Sequence, residues 1–263
     1  MSLTIDQHTF PKASIDRFGT KDNENFWVWV YRKNGKKSIF IHSGNGLFCA
    51  NQLWDQRLEA VEMKRIEDRF QSLAHDIISK KISTIGAIEK NIVNDFYDLW
   101  NIRIDLKTKL KRKGLPDLQI DGRPIINLSE EEQVSLEKAG ITPVRPDGTI
   151  AGRFFTKSII KGVQYEGRER LKNEEWGVLE AESGEFLVPD NSYHATFILL
   201  SPTLCLLSKS QNAIISHEEV AQINRFVFDT SIEYFFARDF AKCPISLPEQ
   251  PYLSTVDQFL NSI

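Results

Sequence analysis

The chain has 263 residues, 33 Lys+Arg against 36 Asp+Glu, a formal charge of −3 and 41% hydrophobic content. At roughly 100–200 residues per domain this length gives one large domain or two small ones, with enough apolar residue to bury a core, and it excludes wholesale disorder. The charge balance excludes a uniformly basic nucleic-acid binder, although an average over the chain can conceal local patches.

Cys49, Cys205 and Cys243 stand far apart with no C-x-x-C pair, and an odd count makes a poor disulfide framework, so a reducing, cytoplasmic compartment is the simplest reading. The opening MSLTIDQHTF lacks the charged-then-apolar architecture of a secretory signal. The longest apolar stretch, around Phe197 to Leu207, is interrupted by Ser201, Pro202 and Thr203. It falls short of the roughly 20 apolar residues that span a bilayer.

The first predicted element is a hairpin. Residues 26–31 (FWVWVY) and 37–42 (KSIFIH) are β-branched and aromatic, and Lys33-Asn34-Gly35-Lys36 between them carries the Asn-Gly hairpin signal. Alternation puts Phe26, Val28 and Val30 on one face and Trp27, Trp29 and Tyr31 on the other. An aromatic face can stack bases or be covered by a helix; large aromatics mainly supply core area, so burial is the expectation.

From Asp55 to about Lys81, Met63, Ile66, Phe70, Leu73 and Ile77 recur at helical steps. A second helix is predicted from near Ile85 towards Lys113, its stripe reading Ile85, Ile88, Ile92, Phe96, Leu99, Arg103, Leu106, Leu110. Arg103 occupies a place where an apolar residue is expected. A guanidinium is almost never buried alone, so this position predicts a buried or half-buried carboxylate nearby.

Residues 114–152 are rich in turn residues and read as an insertion or lid, in which Ser129-Glu130-Glu131-Glu132 opens a short helix that Gly140 closes. Short strands are predicted at Trp176 to Ala181, Glu185 to Val188, Ala195 to Leu200 and Thr203 to Leu207. Ser216-His217-Glu218-Glu219 starts a last long helix that Val220, Ile223, Val227 and Phe235 carry through roughly Arg238, before a loop and a final helical turn. The sum is a single α+β domain over residues 1–263, with a mixed or antiparallel sheet built from N- and C-terminal strands around a helical middle.

No phosphate-loop, zincin, nucleophile-elbow or dinucleotide signature is present, and the five histidines never pair at metal-ligand spacing. Two basic runs stand out against the neutral average. Residues 103–113 hold six cations against Asp105, a local charge of +5, and residues 153–172 hold six against Glu166 and Glu169, +4. Brought together, Lys107, Lys111, Arg112, Arg153 and Arg168 would form a phosphate-binding surface; apart, they are solvated helix ends that complement the helix dipole.

The segment His8-x-x-Pro11-x-x-x-Ile15-x-x-Phe18 resembles the opening motif of the bacterial family known as domain of unknown function 4238, which writes His-x-x-Pro-x-x-x-Leu-x-x-Phe there. The likeness continues through an aromatic strand at Phe26 to Tyr31, an acidic helix with Glu59 and Ile66-Glu67, a helix bearing Arg103, a strand starting at Trp176, and Ile223-Asn224 in a late helix. The family's Phe-x-x-(Ser/Thr)-Asp-Asn-Pro turn here reads Phe186-Leu187-Val188-Pro189-Asp190-Asn191-Ser192, with Pro189 and Ser192 as departures. The resemblance implies a fold and candidate positions rather than a reaction.

These positions suggest a pocket of His8, Glu67, Arg103, Asp190 and Asn191. In it His8 serves as general acid or base, the carboxylates bind Mg²⁺ or orient His8, and Arg103 clamps a phosphate. The expected function is a nucleic-acid-directed phosphodiester hydrolase in a defence or toxin role. The alternative is a non-enzymatic binding or scaffold module for a protein or nucleic-acid partner, with Arg103 in a buried ion pair to Glu67 or Asp190.

Overall fold

A computed structural model describes residues 6–51, 53, 58–110, 118–119, 128–151, 154, 156–192, 195–246 and 254–255. In chain order the elements are β1 (Asp6–His8), α1 (Lys12–Asp16), β2 (Thr20–Asp22), β3 (Asn25–Arg32), β4 (Lys37–His42) and β5 (Cys49–Asn51). A π-helical turn, Leu58–Met63, leads into α2 (Lys64–Ile78), followed by α3 (Ala87–Leu110), β6 (Leu118–Gln119), α4 (Glu130–Lys138), β7 (Thr149–Ile150) and α5 (Thr156–Leu171). The last third holds β8 (Trp176–Ala181), β9 (Val188–Pro189), β10 (Phe197–Ser201), β11 (Leu204–Ser208), β12 (Ala213–Ile215), α6 (His217–Thr230), β13 (Tyr234–Ala237), β14 (Pro244–Ile245) and β15 (Ser254–Thr255). The class is α+β with antiparallel and mixed sheets.

Two compact units divide this chain: Met1–Thr9, Gly46–Phe70 and Asn94–Lys172 form one, and Phe10–Asn45, Gln71–Val93 and Asn173–Ile263 the other. In the second unit β2, β3, β13 and β9 make an antiparallel sheet, with β4 also paired to β3. The N-terminal hairpin and a C-terminal strand thus share one sheet, as the strand distribution suggested. Val28 and Val30 are fully buried, and so are Ile15 and Phe18 of the opening motif. Arg17 anchors α1 by donating to the Leu200 carbonyl (2.7 Å), to Ser14 Oγ (3.1 Å) and to Gln71 Oε1. Burial draws its pKa down to about 10.

The second sheet of this unit has the order β10-β11-β8-β12, with β12 parallel to β8 and the other pairs antiparallel. Residues Phe197 to Leu200 are all buried, which explains an apolar run without alternation. The predicted strand at Glu185 to Val188 is displaced: only Val188–Pro189 pairs, because Glu185 turns its carboxylate to Arg238 and its carbonyl to Asn224. The last long helix also ends earlier than expected, at Thr230, and Phe235 lies in β13 rather than on its face. The stop is chemical. Thr230 and Ser231 hydroxyls donate back to the carbonyls of Phe226 and Val227, while the Asp190 carboxylate captures the N–H groups of Ile232, Glu233 and Tyr234.

In the first unit β1 pairs antiparallel with β5, and the core gathers Ala50, Leu53, Leu58, Met63, Leu99, Ile102, Leu106 and Ile160. Phe70 and Phe96 stack face to face, centroids 3.6 Å apart. The predicted stripe of α3 fails at its start, since Ile85 precedes the helix and Ile88 is exposed. Further along, Phe96, Tyr97, Leu99, Trp100, Ile102, Ile104 and Leu106 are all buried, so this half of α3 is enclosed rather than one-sided. The capping box at Ser129 opens α4, with Gly140 at φ 75° behind its C-terminus. Residues 114–117, 120–127 and 152 of the predicted insertion lie outside the described residues, and within the rest β6 pairs antiparallel with β7; the predicted final helical turn also lies outside them, and what is described in the tail is the strand pair of β14 and β15.

Candidate functional site

Arg103 has the partner its position demanded. Its side chain is 2% exposed and forms ion pairs with Glu59 (3.4 Å) and with Glu67, whose own side chains are 20% and 22% exposed. The guanidinium is therefore inside and the carboxylates stand between it and solvent. Two elements set this up. α3 carries Arg103, and the π-helical turn running into α2 presents Glu59 and Glu67 along one side, a widened turn of the kind that recurs where a helix must aim particular side chains. Burial pushes the Glu67 carboxyl above its usual range; the Arg103 charge opposes this and Glu59 adds to it.

His8 lies on β1 of the same unit, half-buried and opposite Cys49. Its neighbours are anchored: Gln7 Oε1 accepts the Leu53 N–H (2.7 Å), and Thr9 Oγ1 donates to the Phe48 carbonyl (2.9 Å). Asp190 and Asn191 belong to the other unit. There Asp190 accepts backbone N–H groups as described above, while Asn191 Nδ2 donates to Asp190 (2.9 Å) and to the Thr230 carbonyl (3.0 Å). This fastens the end of α6 to the turn after β9.

Several cations of the two basic runs are engaged in contacts within the first unit. Besides Arg103, Lys107 donates to the Leu47 carbonyl (3.1 Å), Arg168 pairs with Asp95 (3.0 Å) and Arg170 with Asp98 (3.4 Å). Lys111, Arg112 and Arg153 lie outside the described residues. Among the described residues no group of three or more His, Cys, Asp and Glu side chains is arranged to hold a metal ion.

Sequence reasoning passed over Asp98. It is 3% exposed, its Oδ2 has no hydrogen-bond partner among the described residues, and Gly167 of α5 lies against its carboxyl so closely that a Cβ there would fall 2.3 Å from the oxygen. Burial raises its pKa to about 7 against the pull of Arg170. The folded chain thus holds this proton more tightly than the unfolded chain, whose carboxyl titrates near 3.8. The resulting stabilisation is complete below that value, is lost as pH rises from there through about 7, and then changes no further. Asp98→Asn is expected to flatten this part of the stability profile, as measured by urea midpoints across the acidic to neutral range.

The aromatic face of the hairpin is not covered as expected. Tyr31 is buried under Phe235, with the rings stacked at 5.3 Å, but Trp29 is 39% and Phe40 43% exposed. The register places Trp27, Trp29, Phe40 and His42 on one face, where Trp27 stacks on Phe40 (5.7 Å) and Trp29 lies 5.0 Å from the same ring. Cover ends where β13 ends, beside Trp29, and β4 lies on the other side of β3. At the hairpin's far end Arg32, Lys36 and Lys37 are exposed, while Lys33 turns back over the Phe228 ring and donates to the Ser231 carbonyl (2.6 Å).

Compared with protein-family models, with curated proteins and with solved structures, the chain finds no match.

Proposed function

We propose that this chain is a non-enzymatic binding module that takes single-stranded nucleic acid on the exposed aromatic face of its β3–β4 hairpin. The observation that carries the reading is a mutually stacked set of rings on one face of the hairpin, Trp27 half-buried and Trp29 and Phe40 exposed, with the exposed Lys36 at its turn; Arg32 and Lys37 are exposed as well, but alternation puts them on the opposite face. Bases stack on such rings at about 1–3 kcal/mol each, and Lys36 supplies a salt-dependent phosphate contribution. Trp29→Ala and Phe40→Ala are each expected to weaken binding of a fluorescent oligothymidylate by roughly 5- to 150-fold while leaving the melting temperature nearly unchanged. Anisotropy titrations at low salt test this, and a wild-type protein that binds no oligonucleotide there overturns the reading.

One observation favours a second reading, the nucleic-acid-directed hydrolase: a carboxyl, Glu67, raised by burial beside Arg103 at a π-helical turn. In that reading His8 is the general acid or base and the carboxylates hold Mg²⁺ or orient it. A nuclease assay supplemented with Mg²⁺ decides it, since cleavage that survives in His8→Ala removes His8 from the chemistry. Membership of the family whose motif residues 8–18 resemble, action in the cytoplasm and a defence or toxin role extend the same proposal. The three buried thiols, Cys49, Cys205 and Cys243, are compatible with a reducing compartment.

A further inference from the structure

Independently of the hairpin, the second unit carries a cavity of about 330 Å³ between the end of α2 and the β10-β11-β8-β12 sheet. Register puts Val178, Glu180, Leu204 and Ile214 on the same face of this sheet, and Ile77 of α2 with Ile82 of the following loop completes an apolar lining. The walls are tied: Asn212 Oδ1 accepts the Val178 N–H (2.8 Å) and its Nδ2 donates to the Ser83 carbonyl, so the loop and the sheet edge are fixed to each other.

An ion pair joins the turn after α2 to strand β8 of this lining. Lys80 Nζ donates to both Glu180 oxygens, at 3.0 and 3.2 Å, and both side chains are largely exposed. Lys80 also sits at φ 58°, a conformation that costs a lysine roughly 1–2 kcal/mol and that glycine adopts freely. The conformation closes α2, since the Lys80 N–H donates to the Ile77 carbonyl and the Lys81 N–H to that of Asp76, and it leaves the Lys80 side chain lining the cavity. The pair itself contributes little to stability at such exposure, so both charges are available to a ligand.

A ligand with one charge would satisfy one partner and repel the other. An α-amino acid carries its opposite charges on either side of one carbon, a separation comparable to the Lys80–Glu180 contact, and can dock head to tail against the pair without opening it. Its side chain then enters the apolar space, whose size is at the lower end of ligand pockets, roughly 300–1,000 Å³. We propose that this cavity binds a free α-amino acid with a bulky apolar side chain, its carboxylate on Lys80 and its ammonium on Glu180.

The test is an NMR titration of the ¹⁵N-labelled full chain with L-leucine and L-phenylalanine, following the amides of Val178, Ala213 and Ile214. Saturable shifts are expected with one or both. Glycine lacks the apolar body, N-acetyl-L-leucine the ammonium and L-leucinamide the carboxylate, and each is expected to bind at least about tenfold more weakly, one factor of ten in Kd. Lys80→Gly relieves the strained backbone and so keeps the fold, and Glu180→Gln keeps the shape; each is expected to weaken leucine binding by about tenfold or more. No saturable shift with either amino acid overturns the proposal, as does equal binding of any of the three analogues or undiminished binding by Lys80→Gly.

Discussion

Arg103→Ala is expected to destabilise the first unit by roughly 3–5 kcal/mol, the usual cost of removing one partner from a buried ionic cluster. The cost is not mainly the lost contact. With the guanidinium gone, Glu59 and Glu67 both lose the buried cation that lies against them, and Glu67 is already raised by burial when the arginine is present. Protonation relieves this. The urea midpoint of Arg103→Ala should therefore recover as pH falls through the acidic range, relative to the wild type at the same pH. A triple variant, Arg103→Met with Glu59→Gln and Glu67→Gln, should regain much of the loss at neutral pH, because replacing a whole buried ionic cluster is far less costly than breaking it. A wild-type midpoint in Arg103→Ala would show that the cluster does not hold α3 to α2.

Asn224→Ala should cost a comparable or larger amount in the second unit, roughly 3–9 kcal/mol, if each of three abandoned buried partners costs about 1–3. Asn224 is fully buried on α6 and ties three backbone segments: its Oδ1 accepts the Leu187 N–H (2.7 Å), and its Nδ2 donates to the carbonyls of Glu185 and Pro244, both at 2.8 Å. Glu185 and Leu187 precede β9, Pro244 pairs with Thr255 of β15 among the described residues, and the amide ties these segments to α6. Asn224→Asp is expected to be at least as damaging, because a carboxylate keeps the acceptor for Leu187 but presents a second acceptor to two carbonyls. Chemical denaturation measures the loss, and faster hydrogen exchange at the Leu187 amide localises it.

Arg103 shows what a sequence can reveal about such a site. A cation inside an apolar stripe forces the existence of an acid, and the acid exists: of the two partners named for it, Glu67, 36 positions earlier, pairs with Arg103, whereas Asp190 lies in the other unit, and spacing gave no sign of Glu59, 44 positions earlier. Phe235 shows the opposite case. It falls in step with the helical run of α6, but the Asp190 carboxylate, more than 40 positions upstream, takes the N–H groups that a continuing helix would need. A long-range capture of backbone donors leaves no local periodic signal. The same holds for the aromatic face, where alternation sorted the side chains correctly but could not tell which of them β13 and Phe235 would cover. The cavity is less legible still, since its lining comes from α2, two loops and three strands, each contributing one to three residues.

Chain connectivity adds a consequence for synthesis and inheritance. The backbone passes from one unit to the other after residues 9, 45, 70, 93 and 172, and two of those passages fall inside α2 and α3. Val30 must wait for Phe236 before its strand is paired on that side. On the ribosome neither unit can finish until most of the chain has emerged, which exposes the hairpin's apolar residues to chaperones during translation. Nor can recombination lift out either unit as one contiguous stretch: whatever sites the two units carry, they are copied, exchanged and lost together.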